Sequence, residues 1–308
     1  LGKEFDPFTA SKLAGQSATE AYAALQEARQ RHIVWSKDRD ARCAFIHDKV
    51  RQTLLDRLPG EERRELHLRA AVDLEVETPD RVYELAYHFD AAGQCERAWR
   101  YALRAAEKAR SQHALELAAE QYRIAERGVP ETDEANRYRI AEGAGDIHML
   151  RGQYESAARK FAEAGSLAKD NLTRARIEGK LGELAFKQGD MQQAIEGYER
   201  ALELLDYRVP KWSFAFFVGL LWQAIVQVIH TKLPALFVGR KKLVDDDEQL
   251  LVIRLHNRLT YAYFFGRGQI PCLWTHLRGM NLAERFPATS ELAHAYSIHA
   301  PVMSLIGF

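Results

Sequence analysis

A grid of small residues that recurs at a fixed interval constrains this chain more than any single side chain. Gly145, Gly152, Ala157, Phe161 and Ala164 return 37 positions later as Gly182, Gly189, Ala194, Tyr198 and Ala201, with a fainter copy at Ala86, Gly93, Ala98, Ala102 and Ala105. Gly145 and Gly182 fall inside helical patterns, where a side chain would hold a neighbouring helix away. Gly152 and Gly189, seven residues on, suit the left-handed backbone that ends one helix before the next begins. The small and aromatic positions that follow come at steps of four and three, so they line one helical face. The unit is helix, tight turn, helix. Such units bury their apolar faces by stacking on one another, which builds extended surfaces rather than catalytic pockets.

Read over 181–201, the order Leu-Gly, six residues, Gly, four residues, Ala, three residues, Tyr, two residues, Ala resembles the tetratricopeptide repeat. The copy over 181–204 is near consensus, that over 144–164 is good, and that over 85–105 is degenerate. The chain departs from the pattern where Ala141 and Glu178 replace an early aromatic and where His148 and Ala185 replace a mid-helix Tyr. The resemblance implies a mostly α protein, a right-handed superhelical solenoid whose concave face takes a protein, a peptide or a small inducer. His148, Arg151, Glu183 and Lys187, polar groups on the first helices of the two better repeats, are the candidate groove residues.

The helical pattern runs over 81–92, 94–110, 113–127, 132–151, 154–169, 172–187 and 191–205, then breaks. Residues 212–229 carry no charge, and Pro234 stops the run. Its length is at the lower limit for a membrane span. Gln223 and Gln227, four apart, together with Gly219, favour a helix buried against the solenoid or at a partner surface, the alternative being a membrane-associated sensor. Arg240, Lys241 and Lys242 then meet Asp245 to Glu248 in a charged loop, and helices resume over 250–265, 270–286 and 290–306. Trp274 reads as an aromatic packed between helices.

Residues 1–77 read differently. Ser17 and Glu20 form a capping box at the head of an Ala/Leu helix. Two β-like runs, 33–35 and 43–46, flank a charged turn, Asp48 caps a helix to Leu58, and Pro59-Gly60 separates it from a helix over 61–76. Helices around a hairpin suggest a small winged-helix domain. The domain plan is therefore 1–77 winged helix, 79–206 repeats, 207–249 an apolar helix and charged loop, and 250–308 further degenerate helical repeats.

Lys plus Arg and Asp plus Glu are equal at 43 each, so the chain as a whole has no field to draw nucleic acid or an anionic membrane. Cys43, Cys95 and Cys272 are odd in number and far apart, which fits buried thiols in a reducing cytoplasm. No charged n-region, apolar h-region and cleavage site appear at the start, so these residues lend secretion no support. Leu1 at the start and an apolar run at the end suggest a piece of a longer protein. Catalytic motifs are lacking: there is no phosphate loop, H-E-x-x-H or C-x-x-C, and His294 and His299, five apart, do not share a face for chelation, so neither a catalytic nor a metal site is nominated.

Phe45-Ile46-His47-Asp48, between a strand and a helix, resembles the hydrophobic-His-Asp motif in winged-helix domains of STAND signal-transducing ATPases. With Phe5, Leu25 and Arg64 to His67, it looks like the junction of ATPase and repeats in MalT-like and kinase-linked bacterial regulators. That resemblance implies an upstream ATPase module, possession of ATP or ADP by the parent protein, and a role for His47 and Asp48 in sensing ADP at its β-phosphate. It also implies an output module such as a histidine kinase, cyclase or DNA-binding domain, and in kinase-linked members a serine/threonine kinase upstream. A passive repeat scaffold that senses no nucleotide is the competing reading.

Overall fold

Sixteen helices and three short strands make up the ordered elements of the computed structural model, which describes residues 4–37, 42–242 and 247–304. The middle of the charged turn expected between the two β-like runs, Asp245 and Asp246 of the acidic run, and the end of the last apolar run at Ile306 lie outside the described residues. The chain divides between Asn136 and Arg137 into two units.

In the first unit, β1 (Glu4–Phe5) and β2 (Val34–Lys37) both pair antiparallel with β3 (Arg42–Phe45), giving the order β1-β3-β2. Helices α1 (Pro7–Ala14) and α2 (Ala18–Gln30) lie between the first two strands. Asp6 caps α1 by accepting the Thr9 N–H at 2.8 Å, with Pro7 pre-set for the first helical position. At α2 the box is reciprocal: Ser17 Oγ accepts the Glu20 N–H at 3.3 Å, and the Glu20 carboxylate accepts the Ser17 N–H at 2.9 Å. A cap of this kind contributes about 1 kcal/mol. Phe5, Val34 and Cys43 are buried beneath Leu25 and Ala28.

Pro59 separates α3 (Asp48–Arg57) from α4 (Gly60–Glu77), and α5 (Val82–Ala91), α6 (Cys95–Ser111) and α7 (Leu115–Gly128) follow. Glu75 ties α4 to α6, accepting the Tyr101 hydroxyl at 2.6 Å and pairing with Arg97. The alanines of the faint copy are buried here, and a glycine outside it allows a close approach. Ala98, Ala102 and Ala105 are fully buried, and a Cβ on Gly128 would fall 2.0 Å from the Cys95 carbonyl oxygen.

The second unit is helical throughout: α8 (Glu134–Leu150), whose first turn precedes the division, α9 (Tyr154–Leu167), α10 (Asn171–Gln188), α11 (Met191–Leu204), α12 (Ser213–Lys232), α13 (Pro234–Phe237), α14 (Asp247–Gly266), α15 (Gln269–Ala283) and α16 (Ser290–Met303). Gly152 and Gly189 sit at φ +73° and +84°, and Gly189 closes α10 by donating to Phe186. The two better copies of the grid pack alike. Phe161 of α9 lies against Gly145 of α8, and Tyr198 of α11 against Gly182 of α10. Each ring is buried, and burying such a side chain stabilises by about 2 kcal/mol.

Helix α11 packs directly on α14, where Gly266 leaves room for Ile195 and the Tyr263 hydroxyl donates to Glu199 at 2.5 Å. The chain between them, α12 and α13, is therefore set outside that contact, and α12 lies along α15. Gly219 is what allows it: a Cβ there would meet the indole nitrogen of Trp274 at 2.7 Å. Trp274 also meets Phe216 edge to face at 5.3 Å, so it is a packing residue between helices.

Candidate functional site

Between α9, α10 and α11 lies an open cavity of about 730 Å³. Steps of three, four and three along α10 bring Asn171, Arg174, Glu178 and Leu181 to one face of that helix, and α11 contributes Arg200 and Glu203. Phe161 and Ile177 supply apolar lining. Asp170 starts α10 squarely by accepting the Thr173 N–H at 2.8 Å, which fixes the rotational setting of the helix from its first turn.

Charges of both signs stand around this hollow. Arg200 Nε donates to the Glu178 carboxylate at 2.9 Å, and Arg200 Nη1 lies 3.8 Å from Glu196. Arg174 Nε donates to the Ala168 carbonyl at 3.2 Å. The Arg200–Glu178 pair is partly solvated, so it is worth at most about 1 kcal/mol and opens readily when another charged group competes for either partner. Arginines beside carboxylates and an apolar floor suit a segment of amphipathic peptide. No paired acid and base or activated nucleophile stands among the lining residues.

The four groove residues named from sequence do not line this cavity. His148 Nδ1 lies 2.7 Å from Gln153 Oε1 at the turn after α8, and Arg151 stands in that turn, partly exposed. Glu183 faces α14, where it pairs with Arg258 at 2.7 Å, and Lys187 is exposed in the last turn of α10. The residues that converge instead, Glu178 and Arg200, carried a weak signal. Glu178 occupies a position where the repeat pattern calls for an aromatic, and a carboxylate there has to find a partner.

In the first unit, His47 rather than Asp48 is the N-cap of α3. Its Nδ1 accepts the Lys49 N–H at 3.2 Å, whereas Asp48 is the first helical residue, with its carboxylate 4.0 Å from Arg51 Nε. An accepting Nδ1 carries no proton, so the ring proton sits on Nε2, on an exposed imidazole at a helix start. Donor and helix end both favour an anion. Nearby, an apolar cavity of about 360 Å³ is lined by Leu54, Leu58, Leu66, His67 and His88. The two Nδ1 atoms are 2.9 Å apart, and burial, with His67 alongside, pushes His88 down to about 3.

No family model matches the chain, and no curated protein matches it. Among solved structures it is similar to the crystal structure of BtubC (BKLC) from P. vanneervenii, at 15% identity and a TM-score of 0.46, over 82% of this chain and 84% of that one.

Proposed function

We propose that this chain is the sensing arm of a larger bacterial signalling protein of the STAND type. In this reading 79–206 is a right-handed tetratricopeptide-like solenoid and 1–77 a winged-helix arm that meets an ATPase module. The observation that carries it is the duplicated close approach of Phe161 to Gly145 and of Tyr198 to Gly182, at the same step along the chain. A repeat in which the aromatic of each second helix fills the space left by the glycine of the first is a stacking unit, and stacking units present surfaces to partners. The order strand, two helices, hairpin over 4–45 supports the winged-helix assignment.

The ligand, a peptide or protein segment or a small inducer, enters the hollow between α9 and α11 and exchanges with the Glu178–Arg200 pair. Signalling follows only if it binds one state of the whole protein more tightly than the other, since equal affinity shifts nothing. The link to the ATPase is His47, whose exposed ring at the start of α3 offers its Nε2–H to the β-phosphate of a resting ADP. The output module, whether kinase, cyclase or DNA-binding domain, stands downstream, and the protein works in the cytoplasm.

Two measurements test the reading. In the full-length protein, His47→Ala lowers ADP retention and raises basal output; unchanged retention and output would remove the switch. Pull-downs comparing 79–308 with the whole chain separate the switch from a passive scaffold, which would capture its partner equally well without 1–77. Arg200→Glu weakens ligand capture by either piece, and unaltered capture would move the binding surface away from α10 and α11.

A further inference from the structure

Helix α12 uses only one of its faces inside the protein. Phe216, Gly219, Gln223 and His230 turn inward against α15, at steps of three, four and seven. Asn281 donates to both the carbonyl and the side-chain oxygen of Gln223, at 2.9 and 3.0 Å, and His230 Nδ1 lies 2.7 Å from the buried Glu284. The opposite face is apolar and open. Phe214 is 77% exposed and Trp222 60%, and Phe217, Leu221, Ile225 and Val228 continue the same stripe. Leu233 and Leu236 extend it through α13. A contiguous apolar stripe of this size on a water-soluble surface marks a place where something else docks.

Charge identifies what docks. From Tyr207 to Val244 the chain carries Arg208, Lys211, Lys232, Arg240, Lys241 and Lys242 and not one Asp or Glu. The acidic run Asp245 to Glu248 follows at once, so 207–248 carries six cations against four carboxylates and keeps a local excess that the neutral total over all 308 residues hides. Where α12 ends, a hollow of about 380 Å³ combines Ile229, Leu236 and Phe237 with Arg240, Lys241 and Arg285. The loop bearing these cations is pinned to the end of α15 by Gly239 N–H to the Glu284 carbonyl and Lys241 N–H to the Arg285 carbonyl, both at 2.8 Å. Lys241 Nζ itself donates to Gln249 Oε1 at 2.5 Å. A second copy of the chain laid on this stripe would bring two like-charged clusters together. A surface that is apolar within and anionic at its edge accepts the stripe and the cations at once.

We propose that α12 and α13 dock this chain on a bilayer containing anionic phospholipid. The helix lies in the plane of the membrane, its Phe214-to-Val228 stripe among the acyl chains and Arg240, Lys241 and Arg285 at the headgroup phosphates. It does not cross the bilayer, because crossing would strip away the Gln223–Asn281 and His230–Glu284 bonds that hold α12 on α15. This docking stands or falls separately from the sensing role of the repeats.

The test uses the whole chain and vesicles of phosphatidylcholine with and without phosphatidylglycerol, read by co-sedimentation and by tryptophan emission, since Trp212 and Trp222 are both exposed. Binding to phosphatidylglycerol vesicles is expected to be at least about tenfold tighter than to phosphatidylcholine alone, to weaken as salt is raised, and to shift emission to the blue. Phe217→Ser with Trp222→Ser lowers vesicle affinity by about tenfold or more, and Arg240→Gln with Arg285→Gln lowers the preference for phosphatidylglycerol by about tenfold. Should a variant fail to fold, quenching of the unaltered chain by brominated lipid reads insertion directly. Absence of binding to both vesicles, or equal binding to the two, overturns the proposal. So does a self-association, measured by sedimentation equilibrium, that the Phe217/Trp222 change abolishes while vesicles bind nothing.

Discussion

Gly145 and Phe161 share one space: a Cβ on Gly145 would stand 2.5 Å from the Phe161 ring, which has no exposed surface. The relationship recurs between Gly182 and Tyr198, at 3.0 Å, with the Ala194 carbonyl oxygen at 3.1 Å closing the other side. In both, a glycine sits mid-helix, where it costs about 1 kcal/mol relative to alanine, and the cost is offset by the ring its absence of a side chain admits.

Gly145→Ala should therefore destabilise the second unit by about 1–3 kcal/mol, although alanine is the better helix former. Gly165→Ala in α9 is the matching control, because its Cβ would lie 3.6 Å from Ile177, an ordinary contact. That change should be neutral or stabilising by up to about 1 kcal/mol. Urea denaturation of the two variants gives the comparison, and equal effects would mean that the small-residue grid is not a packing device.

Glu284 is the anchor of α12. Buried, it accepts from Gln227 at 3.1 Å and from the Tyr296 hydroxyl at 3.0 Å, and it meets His230 at 2.7 Å, joining α12, α15 and α16. Burial, and then the bond to Glu284, pushes Tyr296 up to about 12. Glu284→Ala leaves these donors unpaired and should cost about 2–4 kcal/mol. Hydrogen exchange should quicken along α12 far more than along α8 and α9, and a uniform increase would assign Glu284 no special hold on α12.

Three histidines give the fold a pH dependence. Burial pushes His88 and His256 down to about 3 and His276 to about 4, with His67 beside the first, Arg278 near the second and His299 beside the third. His256 Nδ1 contacts the Thr275 hydroxyl at 2.9 Å, and His276 Nε2 lies 2.9 Å from His299 Nδ1. All three stay neutral in the fold while their unfolded counterparts take up a proton near pH 6.5. Stability is thus at its full value above the unfolded pKa and declines as pH falls below it, by about 1 kcal/mol per pH unit for each group. Urea titrations between about pH 5 and pH 7 should show the decline, and His88→Phe should make it shallower by one group's share.

Thiol reactivity follows burial. Cys43 and Cys272 are buried, and burial pushes Cys272 up to about 11, while Cys95 at the head of α6 is only partly covered. Titration of the native protein with Ellman's reagent should modify Cys95 first and the other two only as the protein unfolds. Prompt reaction of Cys272 would contradict its burial in α15.

Much of the local structure was legible because its causes are local. Ser17 and Glu20 cap α2 through bonds three residues apart, and Gly152 and Gly189 end helices because their own backbone is left-handed. The interval between the two good repeats likewise announced the paired approach of Phe161 and Tyr198. The candidate site was less legible. Arg200 reaches Glu178 from the following helix, whereas Glu183, which looked available, is taken by Arg258 from far along the chain. His47, and not Asp48, turned out to be the cap, since the choice depends on which side chain meets the Lys49 N–H once the strand has set the approach.

The sequence by itself determined where helices start and stop and which of their faces are small enough to be approached, since propensity, capping and periodicity act over a few residues. Only the tertiary structure decided what came to lie on those faces. It laid α12 on α15 through the gap at Gly219, surrounded Glu284 with partners from α12 and α16, and left the Phe214-to-Val228 stripe uncovered. Tyr296 apart, which is twelve positions from Glu284, those outcomes rest on partners some fifty or more positions apart, whose meeting depends on how every intervening helix is placed.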